Sequence, residues 1–170
     1  MLNALAAIAV ARTFELAPEP VAQALAQYRP AKSRMEVKRA RGATLIVDCY
    51  NANPDSTRAA LVTLATWPDA RRRIAVLGDM LELGPRGPVL HQETGAAVKD
   101  AELWVVGERA QDYAAGARAH GIEVQVFPDR AALRAALAPA LAPGTVVLIK
   151  ASRGAALEQV LEGLELESEE

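Results

Sequence analysis

Short apolar runs alternate with amphipathic segments from residue 34 to near the end of the chain, and this alternation restricts the fold most. Buried strands separated by helices of about 10–15 residues predict βαβ units and a mostly parallel sheet. The apolar runs are continuous enough for burial on both faces, except for an alternating first run that is typical of a half-exposed edge strand. The strand-like runs are 34–40, 44–50, 73–80, 102–108, 123–127 and 145–152. The helix-like segments are 54–67, 91–100, 109–121, 129–141 and 154–164. The sequence therefore predicts an α/β fold.

The first 31 residues have a different pattern and predict helices only. Leu2, Leu5, Ala6 and Ile8 have the spacing of one buried helix face. A second helix is expected over 18–27, with prolines near its start. The polar connector "RPAKSR" then indicates a boundary between a helical segment, 1–31, and an α/β domain, 32–170. Because the first helix has no cap ahead of it, we expect the chain to be part of a larger protein.

Composition excludes several classes of protein. Apolar residues make up 51% of the chain and charged residues 24%, which is typical of a globular domain. The net charge of -2 argues against a nucleic-acid-binding surface. The apolar start is shorter than the ~20 residues that a membrane-spanning helix needs, so no membrane insertion is expected. A single cysteine, Cys49, fits a reducing cytoplasm and predicts neither a disulfide nor a metal cluster.

Polar side chains gather where the predicted strands end. In open α/β sheets, ligands bind beyond the carboxyl ends of the strands, so these residues are expected to share one rim. They offer carboxylates for ribose hydroxyls, amides for hydrogen bonds and cations for anionic groups. The residues are Asp48, Cys49, Tyr50, Asn51, Asn53, Gly78, Asp79, Glu82, Gly107, Glu108, Lys150, Ser152 and Arg153.

Each of these residues also has a purely structural interpretation. Asn53 precedes a proline and is equally compatible with a helix cap. Asp79 can belong to a simple turn. Lys150 and Arg153 can be surface charges, although their position on the rim favours contact with anions. Asp48 ends a hydrophobic run, where a carboxylate needs a partner.

Familiar catalytic motifs are absent from the sequence. There is no G-x-x-x-x-G-K-[ST] phosphate loop, no G-x-G-x-x-G after a strand and no G-x-S-x-G. The two histidines show no metal-ligand spacing. The residues therefore predict a binding rim without a complete set of catalytic residues, and no metal site.

Several motifs in a fixed order resemble the C-terminal part of the Mur ligase family. They are "RMEVKR", "DCYNANPDS", "VLGDMLELG", "LHQETG" and "VLIKASRG". The opening "LNALAAIAVA" resembles the last helices of that family's central ATPase domain. The resemblance implies a Rossmann-like domain over 32–170, preceded by helices left from the central ATP-binding domain.

The resemblance also implies a reaction and its substrates. The family uses ATP and Mg²⁺ to join a peptide carboxylate to an amine, and the main ligands of both lie on a central domain that this chain lacks. The motifs resemble most those of members that add D-alanyl-D-alanine to UDP-N-acetylmuramoyl-tripeptide in peptidoglycan synthesis. Without the phosphate loop and the UDP-sugar domain, the chain alone is expected to be inactive.

The resemblance assigns the nucleotide contacts to one turn and its neighbour. Arg34 matches an arginine that reaches the nucleotide phosphates, a task that suits a planar, permanently charged group. Asp48 matches an acid that holds the ribose hydroxyls. Tyr50, Asn51 and Asn53 lie in the same nucleotide-facing turn.

Other rim residues match the part of the family that faces the incoming amino acid. Lys150, Ser152 and Arg153 match the segment facing its carboxylate. Asp79 and Glu82 lie in the loop near the same cleft, and they are assigned to the dipeptide ammonium from the chemistry of an acid alone, not from the resemblance. The chain departs from the family pattern at two positions. Ser33 stands where the family usually has glycine, and Val47 where it usually has an acid.

Two other classes of function stay open at this point. The chain could be a stand-alone α/β nucleotide-binding module, or a structural domain whose rim residues only cap helices. Binding of ATP and D-alanyl-D-alanine would help to separate these classes, and restored turnover on mixing with the missing N-terminal portion would support the ligase interpretation.

Overall fold

A computed structural model describes residues 2–27 and 32–167 of the chain. The chain divides into two compact units, Met1–Ala31 and Lys32–Glu170. The first contains helices α1 (Leu2–Thr13) and α2 (Pro18–Ala26). Whether this unit is part of an ATPase domain stays a prediction.

The predicted burial of helix α1 is wrong for this chain. Leu5 is 59% exposed and Ile8 36% exposed, and Ala6 is exposed as well. Among the described residues, the first unit contains only one other helix, so the unit itself offers little surface to cover α1. The side chain of Leu2 lies outside the described part.

The second unit contains six strands and four α-helices in its described part. The elements in chain order are β1 (Glu36–Ala40), β2 (Ala43–Asp48), α3 (Pro54–Ala65), β3 (Arg72–Leu77), α4 (Gly87–Ala96), β4 (Glu102–Val106), α5 (Ala110–Ala119), β5 (Val124–Phe127), α6 (Arg130–Ala140) and β6 (Thr145–Lys150).

The strands form one sheet in the order β1-β2-β6-β3-β4-β5. Only β1 is antiparallel to its neighbour, and its residues alternate between half-buried and exposed up to the buried Ala40, as expected of an edge strand. All the other pairings are parallel. The predicted mostly parallel sheet flanked by helices is confirmed.

A hydrophobic core lies on each face of the sheet because strand side chains alternate in direction. On one face, Leu133 and Leu137 of α6 pack with Leu45 and its neighbours. On the other, Leu64 of α3 and Tyr113 of α5 pack with Ile46 and its neighbours. The helices thus cover both faces and leave the carboxyl ends of the strands for the rim.

Helices α4 and α5 touch backbone to backbone at two glycines. A Cβ atom on Gly95 would lie 2.1 Å from the carbonyl oxygen of Tyr113, and one on Gly116 would lie 1.8 Å from that of Gln92. Only glycine permits this approach. The crossing brings the start of both helices beside the end of β3.

Two predicted helix limits are corrected. In place of the helix predicted over 154–164, the structure has two 3₁₀ turns, Arg153–Ala155 and Leu157–Leu161. Ala156 between them has φ 45°, and a left-handed residue cannot continue a right-handed helix. Helix α4 begins at Gly87, before the predicted start at residue 91, because Pro88 is well suited to a first helical turn.

Candidate functional site

The carboxyl ends of three adjacent strands bring the predicted rim together. Asp48 is opposite Lys150 in the β2–β6 register, and Leu77 is opposite Lys150 in the β3–β6 register. Beyond β3, the amide of Ser152 donates to the carbonyl oxygen of Asp79 at 3.0 Å. The expectation that Asp48, Asp79 and Lys150 lie at one border of the sheet is confirmed.

Asp48 and Lys150 form a buried ion pair. The Lys150 ammonium donates to Asp48 Oδ2 at 2.5 Å and to the carbonyl oxygen of Asn51 at 3.0 Å. The lysine side chain is 1% exposed and that of the aspartate 15% exposed. Asp48 thus has the partner that its position required. A direct contact between Lys150 and an anionic ligand stays a prediction, and it requires the ammonium to share its donors with Asp48.

Ser152 joins two loops of the rim. Its hydroxyl donates to the carbonyl oxygen of Ala52 at 3.3 Å and accepts from the amide of Leu81 at 2.9 Å. The residue is 6% exposed. In this structure the hydroxyl therefore fixes the loops after β2 and β3 to the end of β6.

The Asp79 carboxylate caps helix α5 from a different loop. Its two oxygens accept from the amides of Glu108 and Arg109 at 3.0 and 2.9 Å. The helix has no capping side chain of its own at Arg109. The carboxylate is so close to Gly107 that a Cβ there would lie 2.6 Å from it, and Gly107 also has a positive φ of 118°. Any ligand contact by Asp79 has to use the oxygen lone pairs that are not occupied by these two amides.

His91 and Tyr113 support the same loop, and sequence analysis did not identify either as a rim residue. His91 is buried, with Nδ1 2.7 Å from the carbonyl oxygen of Gly87, while the Met80 amide donates to Nε2 at 3.0 Å. This pattern requires the neutral ring with its proton on Nδ1. The Tyr113 hydroxyl donates to the carbonyl oxygen of Gly78 at 3.1 Å.

The two asparagines of the first turn differ in their contacts. Asn53 caps helix α3, with Oδ1 accepting from the Ser56 amide at 2.8 Å and the Ser56 hydroxyl accepting in return from the Asn53 amide at 3.1 Å. The structural interpretation of Asn53 is therefore confirmed, and a ligand contact by it stays a prediction. Asn51 is exposed, and its backbone oxygen binds Lys150.

Arg34, Tyr50 and Arg153 form an exposed cluster beside the ion pair. The guanidinium carbon of Arg34 lies 3.8 Å from the centroid of the Tyr50 ring, and that of Arg153 lies 5.6 Å from it. Within residues 2–27 and 32–167, neither arginine forms a salt bridge. This cluster therefore offers unpaired positive charge at the rim.

Two cavities open at the rim beside Asp79. One of about 240 Å³ lies between the ends of β3, β4 and β5 and the turn after β6, and Asp79 and Asp129 are among its lining residues. The other, of about 210 Å³, is lined by Asp79, Glu82, His91 and Arg109 among others. Glu82 itself is exposed and has φ 63°, a conformation rare for residues other than glycine.

The site lacks the features of a metal centre and of an activated thiol. In the described ranges, no three His, Cys, Asp or Glu side chains are placed to hold a metal ion together. Burial, aided by the nearby carboxylates of Glu158 and Asp48, raises the pKa of the Cys49 thiol to about 12. The thiol is therefore protonated at neutral pH and is no nucleophile. The arrangement can bind and orient an anionic ligand.

Two parts of the rim can now be distinguished. We call Asp48, Asp79, Lys150 and Ser152 the interlocked part, because their polar groups bond to other groups of the chain. We call Arg34, Tyr50 and Arg153 the open part, because its guanidinium groups have no acidic partner among the described residues.

The mostly parallel sheet with polar residues at its carboxyl-end rim defines a Rossmann-like α/β binding domain. Residues 33–153 match the family described as "Mur ligase, glutamate ligase domain". The chain belongs to the Mur ligase family.

Individual relatives agree with this assignment. The chain is 34% identical to the UDP-N-acetylmuramoyl-tripeptide–D-alanyl-D-alanine ligase of Bacillus subtilis (strain 168), over 96% of this chain and 37% of that protein. A crystal structure of MurF from Acinetobacter baumannii is similar with a TM-score of 0.80 and 29% identity, covering 94% of this chain and 36% of that chain. MurF ligase from Thermotoga maritima, solved in complex with ADP, has a TM-score of 0.76 and 26% identity, covering 91% and 35%. The chain therefore spans little more than a third of the relatives it matches.

No helix in the described ranges is both long enough and apolar enough to cross a membrane.

Proposed function

We propose that the chain is the C-terminal part of a cytoplasmic, ATP-dependent ligase that adds D-alanyl-D-alanine to UDP-N-acetylmuramoyl-tripeptide. The observation that carries the proposal is the similarity to ligases named for this reaction, which extends over nearly the whole chain. The rim agrees with it because it presents cations where an anionic nucleotide and a peptide carboxylate could meet.

In this proposal the nucleotide side of the rim consists of Arg34, Asp48 and the turn that follows β2. The Arg34 guanidinium contacts phosphate oxygens, which its planar donors match. The Asp48 carboxylate accepts from the ribose hydroxyls while Lys150 holds it in place. Asn51 and Asn53 belong to the same turn, and Asn53 fixes its shape by capping α3.

The dipeptide side consists of Arg153 and the loop after β3. Arg153 contacts the dipeptide carboxylate, while Asp79 and Glu82 line the 210 Å³ cavity and attract the ammonium. Ser152 and Lys150 position these groups by joining the loops. Binding of this kind contributes to catalysis by holding reactants in place.

The chemistry at the phosphates belongs to the part of the ligase outside this chain. The described residues provide no ligand set for Mg²⁺, so we assign no step to the metal here. The chain's own contribution is to bind ATP and the dipeptide and to orient them.

The test is a phosphate-release assay with ATP, UDP-N-acetylmuramoyl-tripeptide and D-alanyl-D-alanine. The 170-residue chain alone should stay at background. Joined to the part of the Bacillus subtilis ligase that lies outside the match, it should turn over with D-alanyl-D-alanine. Arg153→Gln should raise the KM for the dipeptide about tenfold, the value of one charge-assisted hydrogen bond. Arg118→Gln, which changes an exposed arginine of α5, is the matched control.

Two results would contradict the proposal. One is turnover by the isolated chain. The other is a folded chimaera that fails to use D-alanyl-D-alanine, with folding checked by circular dichroism.

A further inference from the structure

The Tyr50 ring is shared by two arginines, although like charges repel each other. Arg34 and Arg153 lie 3.8 and 5.6 Å from the ring centroid, so their charges are no farther apart than the sum of these distances. The negative face of an aromatic ring attracts a guanidinium group and offsets part of this repulsion. The ring leaves the outward N–H donors of both arginines available, since Tyr50 is 42% exposed and both arginines are exposed.

The backbone that carries Arg34 is strained on both sides. Ser33 has φ 58° and Met35 has φ 51°, and neither is glycine. Non-glycine residues in this left-handed region cost free energy and persist only where the surroundings hold them, often at ligand clamps. The strain therefore points to a requirement for the position of Arg34.

Three hydrogen bonds hold this strained turn against the rim. The Ser33 amide donates to Glu36 Oε2 at 2.9 Å, and the Met35 amide donates to Asp48 Oδ1 at 3.3 Å. The Tyr50 amide donates to the carbonyl oxygen of Ser33 at 3.0 Å. The backbone of Tyr50 thus anchors the turn, and its ring contacts the arginine of that turn. Tyr50 therefore fixes both the backbone path of the turn and the side chain of Arg34.

We propose that Tyr50 is a positioning residue that holds Arg34 and Arg153 as one clamp for an anion with two adjacent phosphate groups. Two planar guanidinium groups present paired donors, and such donors match phosphate oxygens. Because both guanidinium groups lie within 5.6 Å of one ring centroid, the neighbouring phosphates of a single diphosphate could each engage one arginine. The proposal rests on the proposed function and deepens it, because it assigns Arg153 to the nucleotide phosphates as well as to the dipeptide.

The clamp is tested with inorganic pyrophosphate, which needs no other part of the ligase. The Nε–Hε signals of Arg34 and Arg153 are followed by NMR in the 170-residue chain during the titration. Both signals should move with the same half-saturation concentration. The Arg118 signal should stay unmoved and serves as the internal control.

Two variants distinguish the contribution of the Tyr50 ring to pyrophosphate binding from that of the Tyr50 hydroxyl. Tyr50→Phe keeps the aromatic face and should keep the affinity within about twofold, whereas Tyr50→Leu should weaken it about fivefold. In Tyr50→Leu the two arginine signals should also titrate separately. Arg34→Lys, which keeps the charge but loses the planar fork, should weaken pyrophosphate affinity about as much as Tyr50→Leu, and it provides a second variant should Tyr50→Leu not fold.

Several outcomes would overturn the clamp. Equal pyrophosphate affinities of Tyr50→Leu and Tyr50→Phe would refute the role of the ring. Movement of only one arginine NMR signal during the pyrophosphate titration would refute a shared site. A stronger joint response to D-alanyl-D-alanine than to pyrophosphate would make the ligand a carboxylate. A chimaeric ligase without turnover but with an intact pyrophosphate response contradicts the proposed function alone. An active chimaeric ligase whose turnover is unchanged by Tyr50→Leu contradicts the clamp alone.

Discussion

The interlocked and open parts of the rim are neighbours at the same edge of the sheet, yet they differ in what their polar groups contact. The Asp48 and Asp79 carboxylates and the Ser152 hydroxyl each bind groups of the chain itself. The Arg34 and Arg153 guanidinium groups bind no acid in the described residues and share one aromatic ring.

This difference shows that a polar residue at a strand end can have either of two tasks. A buried polar group needs an internal partner, because an unpaired one costs about 1–3 kcal/mol. An exposed cation has no such need and is available to a ligand. Substitutions in the interlocked part should therefore reduce stability first, while substitutions in the open part should reduce binding first.

The largest effect is expected from Lys150→Met. The substitution removes the cationic partner of the Asp48 carboxylate and should lower the free energy of unfolding by about 3 kcal/mol, as for other broken buried ion pairs. Urea denaturation measures this change. The control is Lys99→Met at an exposed position, expected within about 0.5 kcal/mol of the wild type.

The double variant Asp48→Asn with Lys150→Met sharpens this prediction. It removes both charges, so it should be more stable than Lys150→Met alone. A Lys150→Met variant as stable as the wild type would show that the Asp48–Lys150 ion pair is not an essential part of the interlocked rim.

A smaller effect on stability is expected at the opposite border of the sheet, where an ion pair is exposed to solvent. Arg72 donates from Nε and Nη2 to the two Glu102 oxygens at 2.6 and 2.9 Å. This hydrogen bond, opposed by burial, lowers the pKa of Glu102 below its ordinary value. Because solvent screens the pair, Glu102→Gln should lower the free energy of unfolding by only about 0.5 kcal/mol at neutral pH.

The pH dependence of that effect has a defined sign. A carboxyl whose pKa is lowered by folding contributes its full stabilisation above the ordinary glutamate pKa of about 4.3, and the contribution is lost as the pH falls through the lower folded value. The difference between wild type and Glu102→Gln should therefore shrink in urea denaturation below that pH. A difference that grows on acidification would contradict the assignment.

Much of the fold follows from local sequence patterns. Continuous apolar runs and turn residues predict the strands of a parallel sheet, and their ends predict the rim. The buried face of helix α1 was mispredicted because burial depends on what packs against a helix, which spacing alone does not specify. The last helix was mispredicted because Ala156 adopts a left-handed conformation that its residue type does not indicate.

The contacts within the rim were harder to predict. His91 and Tyr113 reach the loop after β3 only because α4 and α5 cross at Gly95 and Gly116. No local pattern specifies that crossing, although His91 lies in the quoted "LHQETG" segment. The pairing of Asp48 with Lys150 likewise depends on β6 lying beside β2, which is a property of strand order.

The most direct test measures stability and pyrophosphate affinity on the same two variants, Arg34→Gln and Lys150→Met. Arg34→Gln should change the free energy of unfolding by less than about 1 kcal/mol, the size of an exposed cation–π contact. It should also weaken pyrophosphate binding about tenfold. Lys150→Met should lose about 3 kcal/mol of stability. An Arg34→Gln variant as destabilised as Lys150→Met, or one that binds pyrophosphate like the wild type, would contradict the division of the rim into an interlocked and an open part.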